Sequence, residues 1–230
     1  MVFEGLQVVV TGAGRGLGRR LAGEFARRGA HIFVSAREEA AAKETVRAIE
    51  WEAAGTAEAF ECDLAQAASV RRFAEAVGRR TGHIDVLINN GAAYLSGEDV
   101  DDAAIAEAIA GAATGTILLT QHLLPLLRAS QRPDVVNVIS SAAEPGQHRS
   151  DAHPAFYAAK HAQAGYAEIL SHRLRPDGIR VISLFPPDFV QAGSRTAGAP
   201  LTAESVAECV LFAVGQPRDC FIREFRFEQL

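Results

Sequence analysis

The run Thr11-Gly12-Ala13-Gly14-Arg15-Gly16-Leu17-Gly18 has residue types and spacing suited to holding an anion. Glycines so placed let the chain turn tightly, let backbone approach a pyrophosphate, and let a helix pack close, while the helix N-terminus presents free N–H groups. The apolar run Val8-Val9-Val10 before it reads as a strand and the residues after it as a helix, the context such a cradle needs; without that context a glycine-rich segment is equally a plain turn. A second feature is Ala36-Arg37, at the end of the second apolar run. An acidic residue there would grip both hydroxyls of an adenosine ribose and repel a 2′-phosphate. This chain has a methyl group followed by a guanidinium, and Arg15 can converge on the same place, so the two arginines suit a phosphate in geometry and charge. The competing reading leaves both as solvated surface arginines partnered by Glu38 and Glu39.

Such groups need a frame. Val8–Val10, Ile32–Val34, Val86–Ile88, Val135–Ile139 and Val181–Phe185 are short, branched and nearly continuous in apolar character, as strands buried on both faces should be. Between them, 17–28, 39–54, 66–81, 102–128 and 156–174 carry apolar residues three and four apart and predict helices. This alternation predicts an α/β fold, a doubly wound Rossmann-type parallel sheet, with residues 1–230 forming a single domain. Loops 142–155 and 186–200 follow strands at their carboxyl ends, where open α/β sheets bind ligands.

Bulk properties narrow the function. The 230 residues, 48% of them hydrophobic, suffice for one large core. A net charge of -5 supplies no basic field for nucleic acid, so a small-molecule substrate is expected and a nucleic-acid partner is not. Cys62, Cys209 and Cys220 are too few and too scattered for a disulfide framework or a zinc site, which fits a reducing cytoplasm, and no metal is expected. The chain enters a strand within a few residues of Met1, leaving no room for a leader, and no apolar run reaches the roughly 20 residues of a membrane helix, so no membrane association is expected.

The glycine turn resembles the TGxxxGxG turn of the short-chain dehydrogenase/reductase family, and the resemblance runs along essentially the whole chain. Asp63-Leu64 resembles the family's adenine-contacting segment. Asn89-Asn90-Gly91-Ala92 resembles its NNAG segment with the last two residues exchanged, which places a methyl group where the family presents bare backbone. From Lys160 to Val181 the pattern continues without a gap through Ala162, Gly165, Leu170, Leu174, Gly178, Ile179 and Arg180. The resemblance implies a nicotinamide dinucleotide held by Gly12, Arg15, Gly16, Leu17, Gly18, Arg37, Asp63, Leu64, Asn90, Gly91, Lys160 and Pro186; with Ala36-Arg37, NADP(H) is expected over NAD(H). It also implies a homodimer or homotetramer through helices 102–128 and 156–174, although their small residues equally suit close packing on the sheet.

For the reaction, the resemblance implies a Ser, Tyr, Lys and Asn set. The tyrosine exchanges the substrate proton, the lysine lowers its pKa and holds the nicotinamide ribose, the serine polarises a carbonyl, and the asparagine supports a water relay. Ser141 and Lys160 match. The tyrosine position, four before the lysine, holds Phe156, and Tyr157 would point about 100° around the helix axis. A bulge or tighter turn at the helix start would bring Tyr157 back, so both readings stand. Ala112 replaces the asparagine, and Pro186-Pro187 stands where the family has Pro-Gly. Substitute proton donors are Tyr157, Tyr94, Ser141, His148 and His153; Tyr94 equally reads as a lid or packing aromatic, and His153 as a solvated loop residue. The expectation is an NADP(H)-dependent oxidoreductase acting on a carbonyl, an alcohol or an activated double bond with an altered proton donor. The alternative is an NADP(H)-binding scaffold with non-redox or regulatory work.

Overall fold

The computed structural model describes residues 3–52, 55–146 and 151–228. Strand β1 (Gln7–Val10) buries Val8, Val9 and Val10 completely between β2 (His31–Ala36) and β4 (Val86–Asn89). Branched residues buried on both faces are what a central parallel strand requires. With β3 (Thr56–Glu61), β5 (Asp134–Val138), β6 (Arg180–Phe185) and β7 (Glu224–Arg226), the sheet runs β3-β2-β1-β4-β5-β6-β7, every pairing parallel. The chain's direction of travel across the sheet reverses between β1 and β4, and a crevice beyond their carboxyl ends follows from that switch point.

Helices α1 (Gly16–Arg27), α2 (Glu39–Glu52) and α7 (Ala203–Gly215) cover one face, and α3 (Ala67–Gly78), α5 (Gly115–Arg128) and α6 (Pro154–Leu174) the other. Alternation along each strand divides the side chains between two cores: Val8 and Val10 join Leu21 and Phe25 of α1, whereas Val9 joins Phe73 of α3 and Leu123 of α5. Leu17, Leu21 and Phe25, four apart, make the buried stripe of α1. Each such large side chain contributes roughly 1.5–3 kcal/mol on burial.

The doubly wound parallel sheet is as expected from sequence, with three corrections. Helix α7 and strand β7 lie beyond residue 200, where the sequence pattern predicts no element; Val206, Val210 and Val214, four apart, carry the helical signal of α7. The predicted helix 102–128 is not one regular helix. It consists of α4 (Asp102–Ile109), a π-helical turn at Ala110–Thr114, and α5. Asp102–Arg128 is also, by length and composition alone, long and apolar enough to cross a membrane, contrary to the expectation that no run was. Leu119, Leu123 and Leu127 account for part of that apolarity, since they pack entirely inside the second core.

Candidate active site

The glycine turn and the loop after β4 form a single floor. Gly12 has φ +61°, and a Cβ on it would lie 2.6 Å from the Cα of Gly91. At Gly18 a Cβ would lie 2.5 Å from both Asn90 Nδ2 and the Gly12 carbonyl oxygen. Thr11 Oγ1 accepts from the N–H groups of Asn90 and Gly91 at 3.0 Å each, and Asn90 Nδ2 donates to the Thr11 carbonyl at 3.1 Å. Any side chain at 12 or 18 would therefore force the two loops apart. The order Gly91-Ala92 has a local reason: a Cβ at 91 would lie 2.6 Å from Leu64 Cδ1, while exposed Ala92 lines the cleft.

At the outer end of this floor, Asp63 accepts from the Ala65 N–H at 2.9 Å, which fixes its carboxylate beyond β3. Arg15 and Arg37 are both exposed. Arg37 is paired at 2.6 Å, and its partner is Glu107 of α4 rather than Glu38 or Glu39.

The crevice itself has a volume of about 960 Å³ and is lined by residues from several elements, among them Leu17, Asn90, Tyr94, Ser141, Phe156, Tyr157, Lys160 and Pro186. Helix α6 positions three of them. Its cap is His153, whose Nδ1 accepts from the Ala155 N–H at 3.1 Å. That bond uses a ring lone pair, so His153 is a helix cap rather than a solvated loop residue, and its neutral ring carries the proton on Nε2. His148 lies outside the described residues. From Pro154 the helix is α-helical, opened by a bond from the Phe156 N–H to the His153 carbonyl at 2.9 Å. Phe156 and Lys160 therefore share a face, and Lys160 Nζ lies 5.7 Å from the Phe156 ring centroid.

Two phenols flank that ring. Tyr94 meets it edge-on at 5.1 Å between centroids, and Tyr157 meets it edge-on at 6.5 Å. Tyr94, half exposed, donates its hydroxyl to Asp151 Oδ1 at 2.7 Å. Phe156, 8% exposed, packs against Ala142, Ala152 and Leu95.

Lys160 is 4% exposed. Its Nζ donates to Gln163 Oε1 at 3.1 Å and to the Val138 carbonyl at 3.4 Å, and burial pulls its pKa down to about 8. Ser141 follows Ser140, which has φ 151° and ψ 152°, a region that costs a non-glycine residue on the order of 1–3 kcal/mol. The Ser141 N–H donates to the Pro186 carbonyl at 2.9 Å, and Ser140 Oγ accepts from the Ala142 N–H at 3.1 Å, so the kink is held from both sides. Pro186 and Pro187 both line the cleft and neither has an N–H to offer a ligand. Ala112 is fully buried in the π-helical turn and carries no polar side-chain atom.

The structure thus brings Ser141, Tyr94, Tyr157, Lys160, Asn90, Leu17 and Pro186 to one cleft, while Arg15, Arg37 and Asp63 do not line it. Gln163 was missed by sequence reasoning; the available signal was an amide three residues after Lys160, in place for the same helix face. Asp188 and Gln191, which also line the cleft, sit in the loop after Pro187 with no distinguishing pattern.

Comparisons with known proteins show the family and the fold. Residues 7–197 match the family model for short chain dehydrogenase. An uncharacterized oxidoreductase of Methylorubrum extorquens is 32% identical over 223 residues, covering 94% of this chain and 88% of its own. D-threitol dehydrogenase of Mycolicibacterium smegmatis is 31% identical over 192 residues, 80% of this chain and 70% of its own. Among solved structures, a metagenomic short-chain oxidoreductase in complex with NADP superposes with a TM-score of 0.86 at 26% identity, covering 100% of this chain and 99% of its own. On the sequence match, the strand order and the glycine floor together, the chain belongs to the short-chain dehydrogenase family of oxidoreductases.

Proposed function

We propose that the protein is an NADP(H)-dependent oxidoreductase acting on a small carbonyl, alcohol or activated alkene, with a proton donor other than the usual tyrosine. The observation that carries this reading is the buried Lys160 ammonium on the same cleft as Ser141, at the switch point where the glycine floor opens. A nicotinamide dinucleotide fits the residues present, since the glycine turn opens the α1 N-terminus beside the cleft that Leu17, Asn90, Ser141 and Lys160 line. When bound, the cofactor supplies or accepts a hydride. Gly12, Gly16 and Gly18 with the α1 N-terminus hold the pyrophosphate, and Leu17, Asn90 and Gly91 wall the adjoining ribose. Asp63 and Leu64 hold the adenine. Arg15 and Arg37 take the 2′-phosphate, Arg37 giving up Glu107 to do so. Lys160 holds the nicotinamide ribose, Pro186 flanks the carboxamide, and Ser141 donates to the substrate oxygen. Tyr157 or Tyr94, the phenols on either side of Phe156, delivers the proton. A homodimer or homotetramer through α4–α5 and α6 fits their exposed Ile109 and Ile169, and a cytoplasmic setting fits the free cysteines.

One observation favours a second reading. Beside Lys160 stands the apolar Phe156 ring, where the family resemblance calls for a phenol, which suits a protein that keeps NADP(H) for non-redox chemistry or sensing. The two separate in a spectrophotometric assay of NADPH consumption with aldehydes, quinones and enones. Turnover with at least one class, abolished in Tyr157→Phe or in Tyr94→Phe, supports the relocated-donor oxidoreductase. Tight binding with no consumption across the panel supports the second reading.

A further inference from the structure

A buried ammonium needs acceptors for its N–H groups, because each one left unmade in a dry site costs more than the bond itself would contribute. Lys160 faces this problem with an apolar ring on one side and, in the π-helical turn that packs against α6, an alanine at 112. One acceptor is the Val138 carbonyl at 3.4 Å. The nearer one is the side-chain oxygen of Gln163 at 3.1 Å, three residues along the same helix and only 2% exposed. A glutamine buried this deeply must itself be oriented. Its Nε2 donates at 3.5 Å to the hydroxyl of Thr116, also buried, which lies four residues beyond Ala112 on the facing helix. The hydroxyl thus takes the amide N–H and leaves the amide oxygen turned toward the ammonium.

We infer that Gln163, set by Thr116, is a positioning residue that anchors the Lys160 ammonium in the cleft from within its own helix. The carboxamide does from α6 what no side chain at position 112 can do from across the helix interface. A neutral acceptor is well suited to the task, because it favours the charged lysine without the desolvation cost of a second buried charge. The other titratable groups of the cleft are Tyr94 from the loop after β4, Tyr157 from α6, Asp188 from the loop after β6 and Glu228 after β7. None of them is a cause of the lowered Lys160 pKa, which comes from burial alone. The inference rests on the reading of Lys160 as a group of the nicotinamide site only for its purpose. Its test uses the free protein, so it can fail while the oxidoreductase reading stands, and the reverse.

Lys43 and Lys160 are the only lysines in the chain. Selective carbon-13 labelling of lysine Cε therefore yields two side-chain resonances, which can be followed by NMR from about pH 5 to about pH 11. Exposed Lys43, one turn from Glu39, is the internal reference, and Lys160→Met assigns the other signal. Gln163→Met keeps the length but removes the acceptor, and is expected to move the Lys160 titration down by about one to two pH units. Gln163→Glu is expected to move it up, and Thr116→Val to move it down by less than Gln163→Met does. A purely space-filling Gln163 would leave the Lys160 midpoint in Gln163→Met within about 0.3 pH unit of the parent, and that result overturns the inference. Should Gln163→Met fail to fold, Gln163→Glu decides alone: no upward shift rejects the anchoring role.

Discussion

The two ends of the parallel sheet each bury a charge, and they treat it in opposite ways. At the amino ends, Asp134 opens β5 directly beside Arg180, which opens β6. Asp134 is 0% exposed, yet Arg180 donates to both its oxygens at 2.8 and 2.7 Å and Arg218 adds a third bond at 2.7 Å. Arg180 then spends its remaining N–H groups on the carbonyls of Val214, Gln216, Pro217 and Cys220. At the carboxyl ends, Lys160 is buried nearly as deeply, and its hydrogen-bond acceptors among the described residues, the Val138 carbonyl and Gln163, are neutral. A countered charge that ties two strands to the α7–β7 connection is structural. An uncountered one costs stability wherever it sits, and such groups concentrate where a ligand will supply what is missing.

That contrast can be attacked at several points. The largest effect belongs to the cleft: Phe156→Tyr places a phenol one helical turn from Lys160, and single-turnover hydride transfer to an aldehyde should accelerate by about 10²–10⁴, or ~3–5 kcal/mol of barrier. No acceleration would mean that another group already delivers the proton efficiently. Next, Asp134→Ala strands Arg180 in the interior and should cost about 3–5 kcal/mol in urea unfolding. A loss below about 1 kcal/mol would place Asp134 among ordinary surface pairs.

The third point is pH. Lys160 is held at about 8 when folded against 10.5 as its ordinary value. Between those values the unfolded chain binds a proton that the folded chain does not, so stability rises with pH across that window, and below about 8 the full cost is present. The gap corresponds to on the order of 3 kcal/mol. Cys62, pushed up to about 12 by burial from an ordinary 9.0, works the other way above pH 9. Comparison with Lys160→Met cancels that contribution. From pH 7 to about 10.5 the parent should gain on the variant by on the order of 3 kcal/mol, and parallel pH profiles would contradict the buried-cation picture. Smallest is Glu107→Gln, which frees Arg37 from an exposed pair worth about 0.2–1 kcal/mol and should tighten NADPH binding up to about five-fold without changing NADH binding.

Much of this was legible in the sequence, and the illegible part has a common cause. Val8–Val10 and the glycine turn announce themselves because their signal is local: branched runs and glycines report burial and close approach wherever they meet their partners. Ser141, Lys160 and Asn90 could be placed because the family resemblance assigns each a position, and all three line the cleft. The Arg37–Glu107 pair joins residues 70 positions apart, and nothing in either neighbourhood marks the other. Gln163 looks like a polar residue on an alanine-rich helix until the facing Thr116 shows which way its amide is turned. The π-helical turn at Ala110–Thr114 likewise leaves no mark in the 3.6-residue pattern, since its residues, three alanines, a glycine and a threonine, are all small.

The most direct test is a calorimetric titration of NADPH into the parent protein and into Lys160→Met. A buried cation kept for a ribose predicts a clear heat of association in the parent and at least about ten-fold weaker binding in the variant, a loss of roughly 1.4 kcal/mol. No heat in the parent, or the same affinity in both proteins, would contradict it.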